Sequence, residues 1–315
     1  MGNKTYAPIV LFVYNRPEHT KKTVDGILTN PEAKDTILYI FADGPKLTAS
    51  EDEKAKINAV REYIHTIKGF KDVIIEESEI NRGLAPATIY GVTKIFNYHD
   101  RVIMLEDDDI PTSHFLAFEN ECLEKYKDDS KIWCVGGYVF YPKLVKSEID
   151  DDIYLVNKPT SWGFGTWKRC WDKVIWDMET LKGLFAHKSI VRGFSKWCGS
   201  DMPVVMFSWF EGRASSWSIR YNFAAYLNDS KTIRPKKSLI WNCGMDGTGT
   251  HNQIIKRDDD VMEDRITIPE VLKFDRRRNS ALLSVYLPQN PILRFLMKKG
   301  YYEIVSRIAK IRHKR

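Results

Sequence analysis

Five cysteines, Cys122, Cys134, Cys170, Cys198 and Cys243, include no CxxC pair, and any pairing leaves one over. That argues against a disulfide framework or a structural zinc and for reduced thiols in a cytoplasm. No stretch approaches the roughly 20 apolar residues a spanning helix needs. The first residues, Met1-Gly2-Asn3-Lys4-Thr5-Tyr6-Ala7-Pro8, lack the apolar core of a signal peptide. The expectation is a protein kept inside the cell, soluble or peripherally attached. Neither GxGxxG nor GxxxxGK followed by Ser or Thr occurs, so neither a dinucleotide fingerprint nor a P-loop is supported. Basic residues gather at the C-terminal end without stacking aromatics on a recognisable module, which speaks against nucleic-acid binding.

What is present is ordinary globular material, 43% hydrophobic and 29% charged, in a chain of 315 residues that can bury one large core or two modest ones. The net charge of +6 is modest and unevenly placed. Aromatics make up 12%, with nine tryptophans, enough for a stacking surface as well as a core.

The chain is organised around Val102-Ile103-Met104-Leu105-Glu106-Asp107-Asp108-Asp109-Ile110-Pro111. A short apolar run reads as a strand buried on both faces, ending in four consecutive carboxylates and a proline. Four adjacent like charges are unfavourable unless solvated or neutralised by a cation. A hard divalent ion, Mn²⁺ or Mg²⁺, would leave coordination positions open for phosphate oxygens. The alternative is a solvated acidic turn, but ligands in open α/β sheets bind beyond the carboxyl ends of strands.

Ahead of it, Pro8 to Tyr14 is a strand ended by Asn15-Arg16-Pro17, and a helix with Val24, Ile27 and Leu28 on one face follows. Thr36 to Ala42 is a second strand, ended by Asp43-Gly44-Pro45. A helix from about Ser50 to Ile67 carries a capping box, Ser50-Glu51-Asp52-Glu53. Val73 to Ile75 is a third strand, and Asn81-Arg82-Gly83-Leu84 leads into another helix. Regular β, α alternation predicts a largely parallel sheet covered on both faces, with Arg16, Asp43, Arg82 and the acids at one edge. Arg16 there serves a phosphate, a base edge or a plain ion pair, and Asp43 suits a base or ribose. A nucleoside diphosphate held by metal fits this edge.

These segments together resemble the nucleotide-sugar-binding half of GT-A glycosyltransferases, of the N-acetylglucosaminyltransferase I type and its bacterial polysaccharide-synthesis relatives. Glu106-Asp107-Asp108-Asp109-Ile110-Pro111 followed by Phe115-Leu116-Ala117-Phe118 matches the Glu-Asp-Asp motif of that group. The resemblance covers roughly residues 7 to 255. It implies a Rossmann-like, mostly parallel α/β sheet flanked by helices. Residues 1–130 would bind the nucleotide-sugar, 131–260 would form the acceptor and catalytic half of the same domain, and 261–315 would be a C-terminal extension. Asp108 would be the direct metal ligand, with Asp109 replacing or assisting it and Glu106 and Asp107 facing sugar and ribose. Arg16 and Asp43 fall where the family contacts the base, and Asn15 and Arg82 complete the donor set.

The acceptor half is less sharply marked. Ser161-Trp162-Gly163-Phe164-Gly165-Thr166-Trp167 alternates glycines with aromatics, so Trp162 and Trp167 form either a sugar platform or core. A helical stretch expected from about Phe207 to Leu227 contains Ser215-Ser216-Trp217-Ser218-Ile219-Arg220, with Trp217 and Arg220 as acceptor contacts. In the family, aspartates precede that tryptophan, and one of them is the general base; both positions are serine here. A serine accepts no proton at neutral pH without a base beside it. Glu211, one expected helical turn earlier, is the first substitute, with Asp201, Asp246 and His251 behind it. The ordinary alternative for Glu211 is a surface carboxylate.

Pro235 to His251 resembles the family's loop over the donor. Its glycines, Gly244, Gly247 and Gly249, permit close approach to a diphosphate, and His251 offers a metal ligand or phosphate contact. The tail from Pro288 interleaves Ile292, Phe295, Leu296, Ile304 and Ile308 with Arg294, Lys298, Lys299 and Arg307. A basic amphipathic helix of this kind suits an anionic membrane surface and a lipid-linked saccharide acceptor, or docks on the body of the protein.

The resulting expectation is a metal-dependent, inverting transfer from a nucleotide-sugar, UDP-linked by resemblance, to a saccharide acceptor in cell-surface polysaccharide synthesis. Two alternatives stand beside it. A sugar nucleotidyltransferase would carry a Gly-rich loop where Asn15-Arg16-Pro17 lies, and a nucleotide-sugar or glycan-binding protein without transfer is kept open by Ser215-Ser216.

Overall fold

A computed structural model of the chain describes residues 5–139, 150–244, 264–285, 287–288 and 290–313. Strand β1 (Ile9–Val13) is buried at all five positions, as an unbroken apolar run predicts for a strand covered on both faces. Pro17 then opens helix α1 (Pro17–Leu28) at the first helical position, where its missing N–H removes no bond. The alternation continues through β2 (Ile37–Ala42), α2 (Glu51–Ile64), β3 (Asp72–Glu77), α3 (Leu84–Ile95) and β4 (Arg101–Glu106). Ser50 Oγ accepts from the Glu53 N–H, which confirms the cap on α2. β1, β2, β3 and β4 pair in parallel, with Val13 beside Ala42 and Phe12 beside Glu106.

That register places the ends of β1, β2 and β4 side by side, so Arg16, Asp43 and the acid run share one rim. β3 lies at the sheet edge, where its charges Asp72, Glu76 and Glu77 meet solvent and discourage further pairing.

Beyond the acids, β5 (Asp109–Pro111) leaves the main sheet, and α4 (Phe115–Lys125) leads to β6 (Ile132–Gly136). β7 (Ile153–Val156), β8 (Phe164–Trp167) and β9 (Lys231–Pro235) complete an eight-stranded sheet of order β3-β2-β1-β4-β8-β6-β9-β7. β8 pairs antiparallel with both β4 and β6, so the two expected halves share one sheet. Four of the seven pairings are parallel. This is the expected α/β architecture, a mainly parallel central sheet flanked by helices. A separate ribbon joins β5 to β10 (Ile240–Asn242), with Asp109 opposite Asn242.

A second, helical core was not foreseen. α5 (Lys168–Trp171), α6 (Met178–Phe185), α7 (Lys188–Cys198), α8 (Asp201–Phe210) and α9 (Ser218–Leu227) lie between β8 and β9. Leu181, Phe185, Phe194, Met206, Ile219 and Phe223 bury together there. The single helix expected over 207–227 is two, broken at Gly212, whose φ of +67° lies in the left-handed region that favours glycine.

The C-terminal helices, α10 (Arg276–Val285), α11 (Pro291–Lys299) and α12 (Tyr302–His313), dock back on the body. Met297, Tyr302 and Val305 enter the second core, and Ser306 Oγ lies 3.0 Å from Ser208 Oγ on α8. All five cysteines are free and buried. No helix among the described residues is long and apolar enough to cross a membrane.

Candidate donor and acceptor site

The acid run does not point freely into solvent. Asp107, Asp108 and Asp109 are 4%, 7% and 0% exposed, and burial without partners would be prohibitive. Arg16 supplies the first answer. Its Nη2 and Nε (3.2 Å) bind the two Asp107 oxygens, and its Nη1 binds Asp108 Oδ2 at 2.8 Å. Burial alone would lower the Arg16 pKa, but Asp107 and then Asp108 outweigh it and the net shift is upward. Glu106 is pushed well above the usual carboxylate range by burial, then by Asp109, Asp108 and Asp107. Asp107 is raised by burial despite Arg16. Thr23 of α1 anchors the turn through its hydroxyl, 2.9 Å from the Asp107 carbonyl.

Asp109 has a different task from the metal ligation expected of it. Its Oδ2 accepts from the N–H groups of Glu106 and Gly163, both at 3.1 Å, and its Oδ1 accepts from Asn242 Nδ2 at 3.2 Å. Both oxygens are spent on holding the turn. Asn242 Nδ2 also reaches Asp108 Oδ1 at 3.1 Å, and the Cys243 N–H donates to the Asp108 carbonyl. Asn242 was missed as a site residue. The available signal was an amide side chain just before the glycine-rich run. Next to it, a Cβ on Gly244 would stand 2.1 Å from Asp108 Oδ2, so only glycine fits beside this carboxylate.

Among the described residues no group of three His, Cys, Asp or Glu side chains is arranged to hold a metal ion. The Asp108 carboxylate is held by side chains that can turn away, Arg16 and Asn242. A hard cation that keeps waters and phosphate oxygens needs only one or two carboxylates, so Asp108 fits as a single ligand and Asp109 does not. Asp246, Gly247 and His251 lie outside the described residues.

Asp43 sits at the end of β2, as expected. Its oxygens accept from the backbone N–H groups of Gly44 (3.0 Å), Arg82 (2.8 Å) and Gly83 (2.9 Å), tying the Asn81–Gly83 loop to the sheet rim. Arg82 stacks on Tyr90, 4.1 Å from the ring centre. Phe41, Asp43, Glu76, Arg82 and Tyr90 line a shallow hollow that is open to solvent. Asn15 turns toward Glu53, 3.4 Å away.

On the side where an acceptor was expected, Trp162 is half-buried and meets Tyr138 edge-on at 4.8 Å, one residue from the Gly163 amide that binds Asp109. Gly163 has φ +52°, which lets the chain turn there against Ile240. Trp167 and Trp217 are corrected to core residues, 2% and 3% exposed. Trp167 donates its indole N–H to the Leu123 carbonyl, and Trp217 stacks on Phe164 at 5.7 Å.

Glu211 is corrected as well. The break after α8 removes the expected one-turn spacing to Ser215, and Arg307 and Arg213, both within 2.9 Å, hold its carboxylate and lower its pKa. It clamps α12 to α8. Ser215 is exposed, and Ser216 Oγ lies 3.1 Å from Ser218 Oγ. Asp201, at the start of α8, pairs with Lys158 at 3.1 Å, while its other oxygen is sealed without a partner. Burial raises its pKa against the opposing effect of Lys158.

Fold and site together define an open α/β sheet with a compensated carboxylate cluster at its topological rim, the position where such sheets take ligands. No protein-family model matches the chain, and no curated protein matches it. Among solved structures it is similar to S. aureus TarS at 12% identity and TM-score 0.41, covering 75% of this chain and 36% of that one. It is also similar to apo UDP-glucose pyrophosphorylase (9%, TM-score 0.38, 76% and 93% covered). A third is an active-site mutant of LgtC (10%, TM-score 0.34, 70% of each). The chain thus spans about a third of the TarS chain, and similarity at this level decides neither family nor activity.

Proposed function

We propose that the chain is a GT-A glycosyltransferase that moves a sugar from a UDP-sugar to a saccharide acceptor with inversion, in cell-surface polysaccharide synthesis. The observation that carries this reading is Arg16 bridging Asp107 and Asp108 at the shared ends of β1 and β4, beside the hollow at the end of β2. Buried acids neutralised by a movable cation suit a ligand bearing both a diphosphate and a metal ion. Asp108 would hold Mn²⁺ or Mg²⁺, which supplies positive charge at the leaving diphosphate. Arg16 exchanges Asp108 for a phosphate oxygen, so the charge balance of the rim is conserved. The hollow between Asp43 and Tyr90 receives the base, with Tyr90 and the Arg82 plane as its stacking wall. Glu106, which has no bonded side-chain partner among the described residues, faces the donor sugar.

Asp201 takes the place of Glu211 as general base once Lys158 releases its Oδ2, the other oxygen being sealed; burial keeps its proton affinity high where ion pairing lowers that of Glu211. It removes the acceptor hydroxyl proton as that oxygen attacks the anomeric carbon. Seating on the cytoplasmic face of a membrane is supported by α11, where exposed Ile292 and Phe295 lie beside Arg294, Lys298 and Lys299. A binding protein without transfer is the second reading, favoured by serines at 215 and 216.

Calorimetric titration of UDP and other nucleoside diphosphates, with and without Mn²⁺, tests the donor half on wild type and Asp108→Ala. Metal-dependent binding of a uridine nucleotide that disappears in Asp108→Ala is the expected result. Absence of binding by every nucleotide, with or without metal, overturns the proposal.

A further inference from the structure

Arg220 on α9 is 8% exposed, yet no described carboxylate lies within ion-pairing reach of it. Its guanidinium lies over two indoles, 5.1 Å from the Trp176 ring centre and 4.7 Å from that of Trp209. Burial alone pushes its pKa down to about 10, with no acid to oppose the shift, and it stays charged at neutral pH. Two stacked rings compensate only part of the lost hydration. An uncompensated buried charge normally costs more than such stacking returns.

The donor count shows what is left over. A guanidinium has five N–H donors in one plane. Nε reaches the Ser216 carbonyl at 3.3 Å and Nη1 the Trp176 carbonyl at 3.4 Å, both long. Nη2 makes no bond to any described residue and is absent from the sealed, unsatisfied atoms, so it keeps contact with solvent. Nη2 thus stands at an open edge of the guanidinium, and such an edge is the part that grips a carboxylate or phosphate with paired hydrogen bonds.

Its position joins it to the acceptor side. Gly163 binds Asp109, the adjacent Phe164 stacks on Trp217, and Arg220 lies one helical turn beyond Ser216, whose carbonyl it holds. Trp176 and Trp209 are only half-buried, so each has ring surface for the apolar face of a pyranose.

We propose that Arg220, with Trp176 and Trp209, selects an acceptor saccharide that carries an anionic group, a carboxylate or a phosphate, beside the sugar ring it presents. The inference rests on the transferase reading for the word acceptor, but not for the anion site itself. Arg220 is then a specificity-determining residue, and neutral glycans are poor ligands.

The test uses intrinsic tryptophan fluorescence, since two indoles lie near the guanidinium, and needs no nucleotide. Wild type, Arg220→Lys and Arg220→Gln are titrated with D-glucuronate, glucose 6-phosphate, glucose and inorganic phosphate. The expected result is saturation by glucuronate or glucose 6-phosphate at least tenfold tighter than by glucose. It is partly kept in Arg220→Lys and lost in Arg220→Gln. Which charged sugar binds tighter tells carboxylate from phosphate. Equal response to glucose and both charged sugars overturns the proposal on wild type alone, even if Arg220→Gln fails to fold. Binding of inorganic phosphate as tight as that of glucose 6-phosphate overturns the saccharide part. A normal anion response in a folded Arg220→Gln overturns the role of the residue. Failure of nucleotide binding in the calorimetric experiment leaves these results intact, so the two readings fail separately.

Discussion

Asn242 faces Asp109 across the β10–β5 ribbon and donates to its carboxylate at 3.2 Å, while the same amide nitrogen reaches Asp108 at 3.1 Å. One neutral side chain therefore bridges two adjacent carboxyl groups from a strand 133 residues further along. Hydrogen bonds to charged groups are worth about 1.5–3 kcal/mol each, and their removal leaves buried acceptors unsatisfied. Asn242→Ala is expected to lose about 2–3 kcal/mol in urea unfolding, with the m-value unchanged. A loss below about 0.5 kcal/mol would show the bridge to be dispensable.

Removing Arg16 strips Asp107 and Asp108 of the guanidinium that bridges them. Breaking a buried pair costs about 3–5 kcal/mol. The Arg16 side chain is 24% exposed, so a smaller loss of about 2–4 kcal/mol is expected for Arg16→Ala. The double variant Arg16→Ala with Asp107→Asn recovers part of it, because one of the two stranded charges is gone. Chemical denaturation of the four species of the cycle gives the coupling directly.

Glu211 and Asp201 make opposite predictions for transfer. Glu211→Gln removes a surface ion pair with Arg307 and Arg213, worth about 0–1 kcal/mol. It is expected to keep kcat within about twofold. Asp201→Asn is expected to lower kcat by about 100-fold or more while nucleotide affinity is retained. Reversal of that order in a turnover assay returns the base to Glu211.

Glu119 of α4 is fully buried with neither carboxyl oxygen bonded to a side chain, and burial raises its pKa well above the ordinary range against the Gly165 amide. In the unfolded chain the group ionises near its ordinary pKa, whereas the folded protein keeps it protonated. Stability from this residue is thus present below the ordinary carboxylate pKa. It is lost as pH rises toward the folded pKa, by at most about 1.4 kcal/mol per pH unit. Thermal unfolding of wild type and Glu119→Gln from about pH 4 to about pH 8 is expected to show the variant gaining relative stability with pH. A constant difference across that range contradicts the assignment.

Ile292 is 68% and Phe295 58% exposed on α11, beside three cations. Flotation with vesicles containing phosphatidylserine is expected to carry the wild type, weakly in about 0.5 M salt, and not to carry Phe295→Ser with Lys298→Glu. Equal flotation with neutral vesicles, or none with either, removes membrane seating.

Apolar runs and their polar ends alone determined the first half of the sheet, because β1, β2 and β4 are short, continuous and stopped by Asn15-Arg16-Pro17, Asp43-Gly44-Pro45 and the acid run. Strand alternation also brought Arg16, Asp43 and the acids to one rim, since parallel strands joined by helices put all their carboxyl ends on one side. Periodicity did not separate α8 from α9, as the only mark of the break is Gly212 in a loop of mixed polarity. Trp167 and Trp217 carry the same local signature as an exposed platform, and only packing against Leu123 and Phe164 made them core. Tertiary structure alone decided the roles within the acid run. Four neighbouring carboxylates are indistinguishable along the chain. They differ once Arg16 meets Asp107 and Asp108, Asn242 and Gly163 enclose Asp109, and Glu106 is left without a side-chain partner among the described residues. Those partners lie 54 to 134 residues away. Such contacts depend on loop closure and burial, which no local pattern encodes.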